Sequence, residues 1–509
     1  MLFNSYIFIF CYLPIVLVGY FGSARYWGQT AALLWLVAMS LIFYAWWNPI
    51  YSLLIIGSMS INYKLSQILH KSYIKKIYLI IGITLNLALI GYFKYTNFMI
   101  EQFNQVYGTD FFIKDIMLPL AISFFTFQQI AYLVDAYHGQ TKEYNFLHYC
   151  LFVLFFPQLI AGPIVHHKEL LPQFFNSAVY KWSSEHFSIG LTIFVIGLFK
   201  KVVLADGVSV YATPIFEAAE SGVVLTLYEA WAGALAYTLQ LYFDFSGYSD
   251  MAVGLARMFG VLLPINFLSP YKASSIIDFW HRWHITLSRY LRDYLYFPLG
   301  GNRRGVVRRY FNLFITMLLG GLWHGAGLTF LIWGMLHGFY LIINHLWRSL
   351  KQTFNVTLHL SWLSGALTFL CVVIGWVFFR AESWSVALSI LKSMIGMNGI
   401  VLSNKIITAS HIPLHVFNAM GVQAGDFFAN EIISGKLAAK WILVLLVLVW
   451  CFPNVYEFMR NQKPALDFEG KGSRFVWQPS SKYAYFIMIL FVWAIFGLSK
   501  ETEFLYFNF

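Results

Sequence analysis

Four histidines and a group of arginines carry the chemistry that this chain could do. Phe279-Trp-His281-Arg282-Trp283-His284 is followed by Arg303-Arg304-Gly-Val-Val-Arg308-Arg309, then by Gly321-Leu-Trp323-His324-Gly325, with His337 beyond. A neutral imidazole held away from water takes a proton from a hydroxyl near neutral pH, so a buried histidine here is a general-base candidate. His281 and His284 are three apart and would share one face of a continuous helix, with Arg289 and Asp293 spaced i,i+4 on the same helix. Two imidazoles with Arg282, Arg289 and Arg292 nearby suit an anionic ligand at a membrane edge. The same pattern also describes a basic helix lying in the membrane interface. No Walker A loop, GxSxG elbow, HExxH or paired Cys/His spacing accompanies these residues, which argues against a metal site, a nucleotide hydrolase and a serine acyl-enzyme.

The surroundings of these residues decide what they can do. Hydrophobic residues make up 59% of the 509 and charged ones 11%, with a mean hydropathy of +0.64, which is the composition of a polytopic membrane protein and excludes a soluble enzyme. The expected fold class is all-α, and the recurring apolar runs predict roughly 11 to 13 transmembrane or re-entrant helices in a single domain spanning 1–509. The net charge of +11 comes from cations in short loops between apolar runs, as at Lys71, Lys75 and Lys76, the positive-inside pattern of cytoplasmic loops. A nucleic-acid partner is therefore not expected; the bilayer is. The four cysteines lie far apart with no disulfide or metal framework, and the first apolar run, Ile7–Phe21, is expected to stay as a helix.

An ionisable residue inside such runs is functional by default, because it is tolerated mainly where it faces protein or a water-filled cavity. His324 follows Arg309 by fifteen residues, ~22 Å of helix rise, so an Arg309 at the cytoplasmic rim puts His324 deep in a ~30 Å hydrocarbon core. Gly320, Gly321, Gly325 and Gly327 allow close backbone approach and a local break beside it. His337 is roughly 140° around a continuous helix from His324, so the two meet only if the break intervenes. Upstream, Leu118–Gln129 carries Ser123, Thr126, Gln128 and Gln129, either to bind helices together or to contact substrate. Pro157 and Pro163 should break a helix that must then be covered by protein. Asp244 and Asp250 follow an apolar run and read equally as pathway residues or as helix-end residues. Between 395 and 440 apolarity falls, and an extramembrane or interfacial segment is expected.

The blocks Leu118–Gly139, Pro157–Phe174, Tyr242–Gly260, Leu263 to Arg303, Gly321–Gly338 and the terminal Phe504-Leu-Tyr-Phe-Asn-Phe509 resemble the membrane-bound O-acyltransferase (MBOAT) family, in its bacterial alginate O-acetyltransferase-like branch. The Trp-His-Ile-Thr-Leu-Ser-Arg and Leu-Trp-His-Gly motifs carry the resemblance. It implies a bowl of helices around a central tunnel, with His324 at its narrow part as the base that deprotonates an acceptor hydroxyl, and His284 as a second catalytic residue. Trp323, Asp244, Gln128, Trp283 and Arg289 become candidates to line the tunnel. His281 stands where that branch usually has arginine, so no role is carried to it. The resemblance also implies a multi-pass protein of the bacterial inner membrane with no bound cofactor and acetyl-CoA or another acyl thioester as donor. Its partners would be periplasmic acetyl-accepting or glycan-modifying proteins and an alginate-like exopolysaccharide or peptidoglycan acceptor. Two readings compete with it. A transporter of an anionic solute or lipid-linked sugar would use the broken helices and basic loops, and a non-catalytic scaffold of a polysaccharide secretion complex would leave His324 replaceable.

Overall fold

In a bilayer every backbone polar group must find its partner within the protein, and a helix does so segment by segment. The computed structural model describes residues 1–112, 116–141, 145–355, 361–402, 407–408, 412–419, 421–424, 435–466, 468, 475–498 and 505. It is all-α apart from one short parallel pair among the described residues, β1 (Ile400–Leu402) with β2 (Val422–Ala424).

Helices α1 (Leu13–Trp27), α2 (Gln29–Ala45), α3 (Ile50–Lys71), α4 (Lys75–Ile90) and α5 (Thr96–Tyr107) open the chain, and a π-helical turn, Gly91–Tyr95, joins α4 to α5. Then come α6 (Ile122–Tyr137), α7 (Phe146–Leu154), α8 (Phe156–Leu159) and α9 (His167–Leu170). The chain breaks between α7 and α8, with Pro157 in the first turn of α8 where its missing N–H is tolerated, and again after Leu159 ahead of Pro163; the segment between the two prolines is buried. Helices α10 (Ser184–Phe199), α11 (Asp206–Glu220) and α12 (Leu227–Met258) form the middle of the molecule. The histidine region is built from α13 (Ile276–Trp280), α14 (Ile285–Leu291), α15 (Val306–His324), α16 (Leu328–Thr353), α17 (Ser361–Arg380) and α18 (Trp384–Met394). Gly435–Cys451 and Ser481–Gly497 add two more apolar helices.

Among the described residues, five stretches are long and apolar enough to cross a membrane: Phe8–Trp27, Lys75–Tyr107, Ser184–Glu220, Leu328–Thr353 and Ser361–Arg380. The chain is thus a multi-pass membrane protein. Of the segment expected outside the membrane, 395–440, the described part contains the β1–β2 pair and a short helix, Leu414–Ala419. The terminal Phe504–Phe509 motif lies outside the described residues except for Leu505.

Two devices hold these helices together. Buried amides bind helices to each other: Asn62 Nδ2 donates to Gln129 Oε1 at 2.6 Å, and Asn86 Nδ2 donates to Asn62 Oδ1 at 2.7 Å, joining α3, α4 and α6, while Thr126 bonds the Ile122 carbonyl of its own helix. The second is glycine contact between α10 and α12. A Cβ on Gly197 would lie 2.6 Å from the Gly247 carbonyl oxygen, and one on Gly190 would lie 2.5 Å from that of Gly254. Only hydrogens fit between the two backbones. Gly197→Val should therefore separate the helices and cost about 1–3 kcal/mol or more. Thermal melting of the detergent-solubilised protein checks this, and an unchanged midpoint would show that the contact is not limiting.

Candidate active site

The helix carrying His324 ends on that residue. Gly325 is extended (φ −162°, ψ 155°), Gly327 likewise (φ −163°, ψ 150°), and α16 begins at Leu328. The break has a packing cause. A Cβ on Gly321 would sit 2.3 Å from the Phe330 carbonyl oxygen, and one on Gly334 would sit 2.5 Å from that of Met317, so α15 and α16 return against each other with their backbones in contact. His324 is thereby buried, at 5% exposure, among the rings of Trp323 (4.9 Å between centroids), Trp333 (5.0 Å) and Phe379 (5.2 Å).

The same break brings His337 to the group. Trp333 has the His324 ring at 5.0 Å and the His337 ring at 4.8 Å, so one indole touches both histidines. The Trp280 indole N–H donates to His337 Nδ1 at 3.3 Å. An indole nitrogen only donates, so in the neutral imidazole the hydrogen is on Nε2 and the accepting nitrogen is already used.

His284 is placed differently from the expectation of one helix face. Helix α13 stops at Trp280 and α14 starts at Ile285; His284 between them is left-handed, with φ 42° and ψ 53°. The break separates it from His281, which is exposed. A side chain with a Cβ adopts this conformation only when its surroundings insist. Here they do: the fully buried His284 directs Nδ1 to Asn266 Oδ1 at 2.9 Å, the same oxygen accepts from Thr286 Oγ1 at 2.9 Å, and Thr286 Oγ1 accepts from the Ile164 N–H at 2.9 Å. An amide oxygen only accepts, so His284 carries its hydrogen on Nδ1, and Nε2 is the basic nitrogen. The Trp323 ring lies 6.3 Å from that of His284.

Of the residues expected along the substrate path, Trp323 and Trp283 fall around this group. Trp323 stacks on Phe127 at 5.2 Å and meets Phe124 at 5.5 Å, both on α6, and Gln128 is buried one turn beyond Phe124. Trp283 packs on Phe267 at 5.0 Å and Trp376 at 4.8 Å. Asp244 and Arg289 are held otherwise. The buried Asp244 carboxylate is 2.7 Å from Lys201 Nζ, and Arg289 grips Glu169 through both terminal nitrogens at 2.6 and 2.9 Å. Neither pair includes one of the three histidines. Asp293, expected to pair with Arg289, pairs with its neighbour Arg292 at 2.7 Å instead, because the π-helical turn Arg292–Tyr296 shifts the i,i+4 register. Among the described residues no group of three or more His, Cys, Asp or Glu is placed to hold a metal ion.

Sequence reading passed over two contributors. Asn266 orients His284 across eighteen positions, and no local pattern announces it. Lys94 donates to the carbonyl oxygens of Trp323 and His324. Its signal was present, as a lone cation at the end of the apolar run Ile77–Phe93.

Buried imidazoles at a glycine break, walled by indoles, suit proton transfer from a hydroxyl in a dry site. The model of the MBOAT, membrane-bound O-acyltransferase family, matches residues 137–383, which contain all three histidines. The peptidoglycan O-acetyltransferase of Helicobacter pylori is 40% identical to this chain, over 100% of it and 98% of the relative. The probable alginate O-acetylase of Pseudomonas putida is 38% identical over the whole of both chains. The teichoic acid D-alanyltransferase of Bacillus subtilis is 28% identical over 52% of this chain and 69% of its own.

Proposed function

The chain belongs to the membrane-bound O-acyltransferase family, and on that premise we propose that it acetylates hydroxyls of an extracytoplasmic polysaccharide, with His324 as general base. The acetyl donor is a cytoplasmic thioester, acetyl-CoA or a related acyl carrier. The single observation that carries the reading is the buried His324 at the end of α15, inside the region the family model matches. Two full-length relatives named for O-acetylation, of peptidoglycan and of alginate, support acetyl as the group moved. The D-alanyl-transferring relative is less similar and matches about half the chain.

In the proposed reaction His324 takes the proton of the acceptor hydroxyl as its oxygen attacks the thioester carbonyl. The tetrahedral intermediate collapses with cleavage of the C–S bond, and the thiolate leaves with the proton returned by the imidazolium, so no acyl-enzyme forms. His284 presents a basic Nε2 and is the second catalytic candidate. His337 has its accepting nitrogen engaged by Trp280 and is left a packing role.

The reading treats 1–509 as one domain in the bacterial inner membrane, with roughly 11 to 13 spanning or re-entrant helices around a tunnel open to both sides. Trp323, Trp283 and Gln128 would line it. Donor would enter from the cytoplasm, and periplasmic proteins would receive or place the acetyl group on an alginate-like exopolysaccharide or on peptidoglycan.

The experiment is to measure base-labile acetate on exported and cell-wall glycans from wild-type cells, a deletion strain, and a strain carrying His324→Ala at matched membrane levels. Ester at the deletion level in the variant supports the reading, and the glycan that lost it names the acceptor. Ester at the wild-type level in the variant, with loss in the deletion, overturns the base and returns the chain to a transport or scaffold role.

A further inference from the structure

The last carbonyls of a helix have no donors within it, and at α15 the chain turns extended immediately after His324. The donors come from elsewhere in the bundle. Lys94 Nζ donates to the Trp323 carbonyl oxygen at 2.6 Å and to that of His324 at 3.1 Å, and the Tyr95 hydroxyl donates to that of Leu322 at 2.5 Å. Three successive carbonyls of the turn that bears the base are thus held by two successive residues of another helix.

Local geometry accounts for that pairing. Successive side chains of an α-helix diverge by about 100°. Lys94 and Tyr95 lie in the π-helical turn Gly91–Tyr95, whose extra residue reorients the side chains and lets both reach one helix end. An ammonium is costly in an apolar span unless acceptors surround it. Its acceptors here are helix C-terminal carbonyls, which carry the negative end of the macrodipole and favour a cation over a neutral donor. Lys94 lies outside residues 137–383, so the family match assigns it nothing.

We infer that Lys94 is a positioning residue for the acyl transfer: with Tyr95 it fixes the last turn of α15, and so sets the direction in which His324 presents its imidazole. The inference rests on the reading of His324 as the base. Lys94 touches neither donor nor acceptor in this account and acts only through the turn it caps.

The test follows the initial rate of labelled acetate-ester formation on the cell's glycans, with full-length variants at matched membrane levels and matched melting midpoints in detergent. Lys94→Met, similar in size and uncharged, should lower the rate about 10- to 100-fold, the range expected when a reacting group is displaced by about an ångström. Lys94→Arg, which keeps a cationic donor, should return it to within about 5-fold of wild type. Equal losses in Lys94→Met and Lys94→Arg would overturn the inference, because packing rather than the cationic cap would then be what matters. A wild-type rate in Lys94→Met beside a dead His324→Ala would overturn it while leaving the base standing. A wild-type rate in His324→Ala would remove the base and the inference together. If Lys94→Met does not reach the membrane folded, Tyr95→Phe carries the test: it loses one hydrogen bond to the same turn and should lower the rate about 3- to 10-fold, and an unchanged rate overturns the inference.

Discussion

Replacing His324 by alanine should lower the initial rate of ester formation about 1,000-fold at matched protein levels, within the range that a positioned general base contributes. The size of the effect follows from the described rings packed against His324, which offer no second base in contact with it. Trp323, Trp333 and Phe379 surround the imidazole and none of them accepts a proton. His337 lies across Trp333 with its accepting nitrogen bonded to Trp280. His324→Gln is the sharper variant, since glutamine keeps polar atoms and bulk in the site but is no base. It should fall as far as alanine does. A residual rate within about tenfold of wild type in both variants would mean that proton removal by this residue does not limit the reaction.

How far the sequence foretold this arrangement depends on the range of the interaction. The membrane class and the all-α fold were readable because a bilayer imposes one rule on every segment, and composition alone reports it. The break after His324 was readable because glycines mark it on both sides, and through that break His337 joins the group although helical periodicity set it on another face. The polar residues of α6 were read as interhelical binding or substrate contact, and Gln129 does bind α6 to α3. The shared face of His281 and His284 was not real. Nothing local in Trp283-His284-Ile285 ends a helix; the left-handed turn is imposed by Asn266 and Thr286, whose hydrogen bonds are long-range for His284 and Ile164. Asp244 was open between two readings, and its partner Lys201 is forty-three positions away. The π-helical turns at Gly91–Tyr95 and Arg292–Tyr296 leave no trace in a 3.6-residue pattern, yet they redirect Lys94 and break the Arg289–Asp293 register.

The second large effect should appear at His284, and its partner decides what it means. His284→Ala should cost about 100-fold in ester formation, less than His324→Ala. Two roles could produce such a loss: proton handling at Nε2, or support of the wall around Trp323, whose ring is 6.3 Å away. Asn266 separates them. Its side-chain oxygen holds the hydrogen of His284 on Nδ1 and so makes Nε2 the basic nitrogen. Asn266→Leu removes that acceptor and with it one of the contacts that hold the left-handed turn, so it is compared at a matched melting midpoint; the imidazole can then take the other tautomer or rotate. If proton handling is the role, Asn266→Leu should lose about 10-fold or more on its own. Added to His284→Ala it should then lose nothing further, because Asn266 acts through the histidine that is already gone. Support of the wall predicts otherwise: Asn266→Leu alone would be near wild type, and the two substitutions would combine independently. The cycle of four proteins, assayed for ester formation at matched membrane levels, therefore tells a second proton-handling group from a structural one; full additivity would confine the proton chemistry to His324.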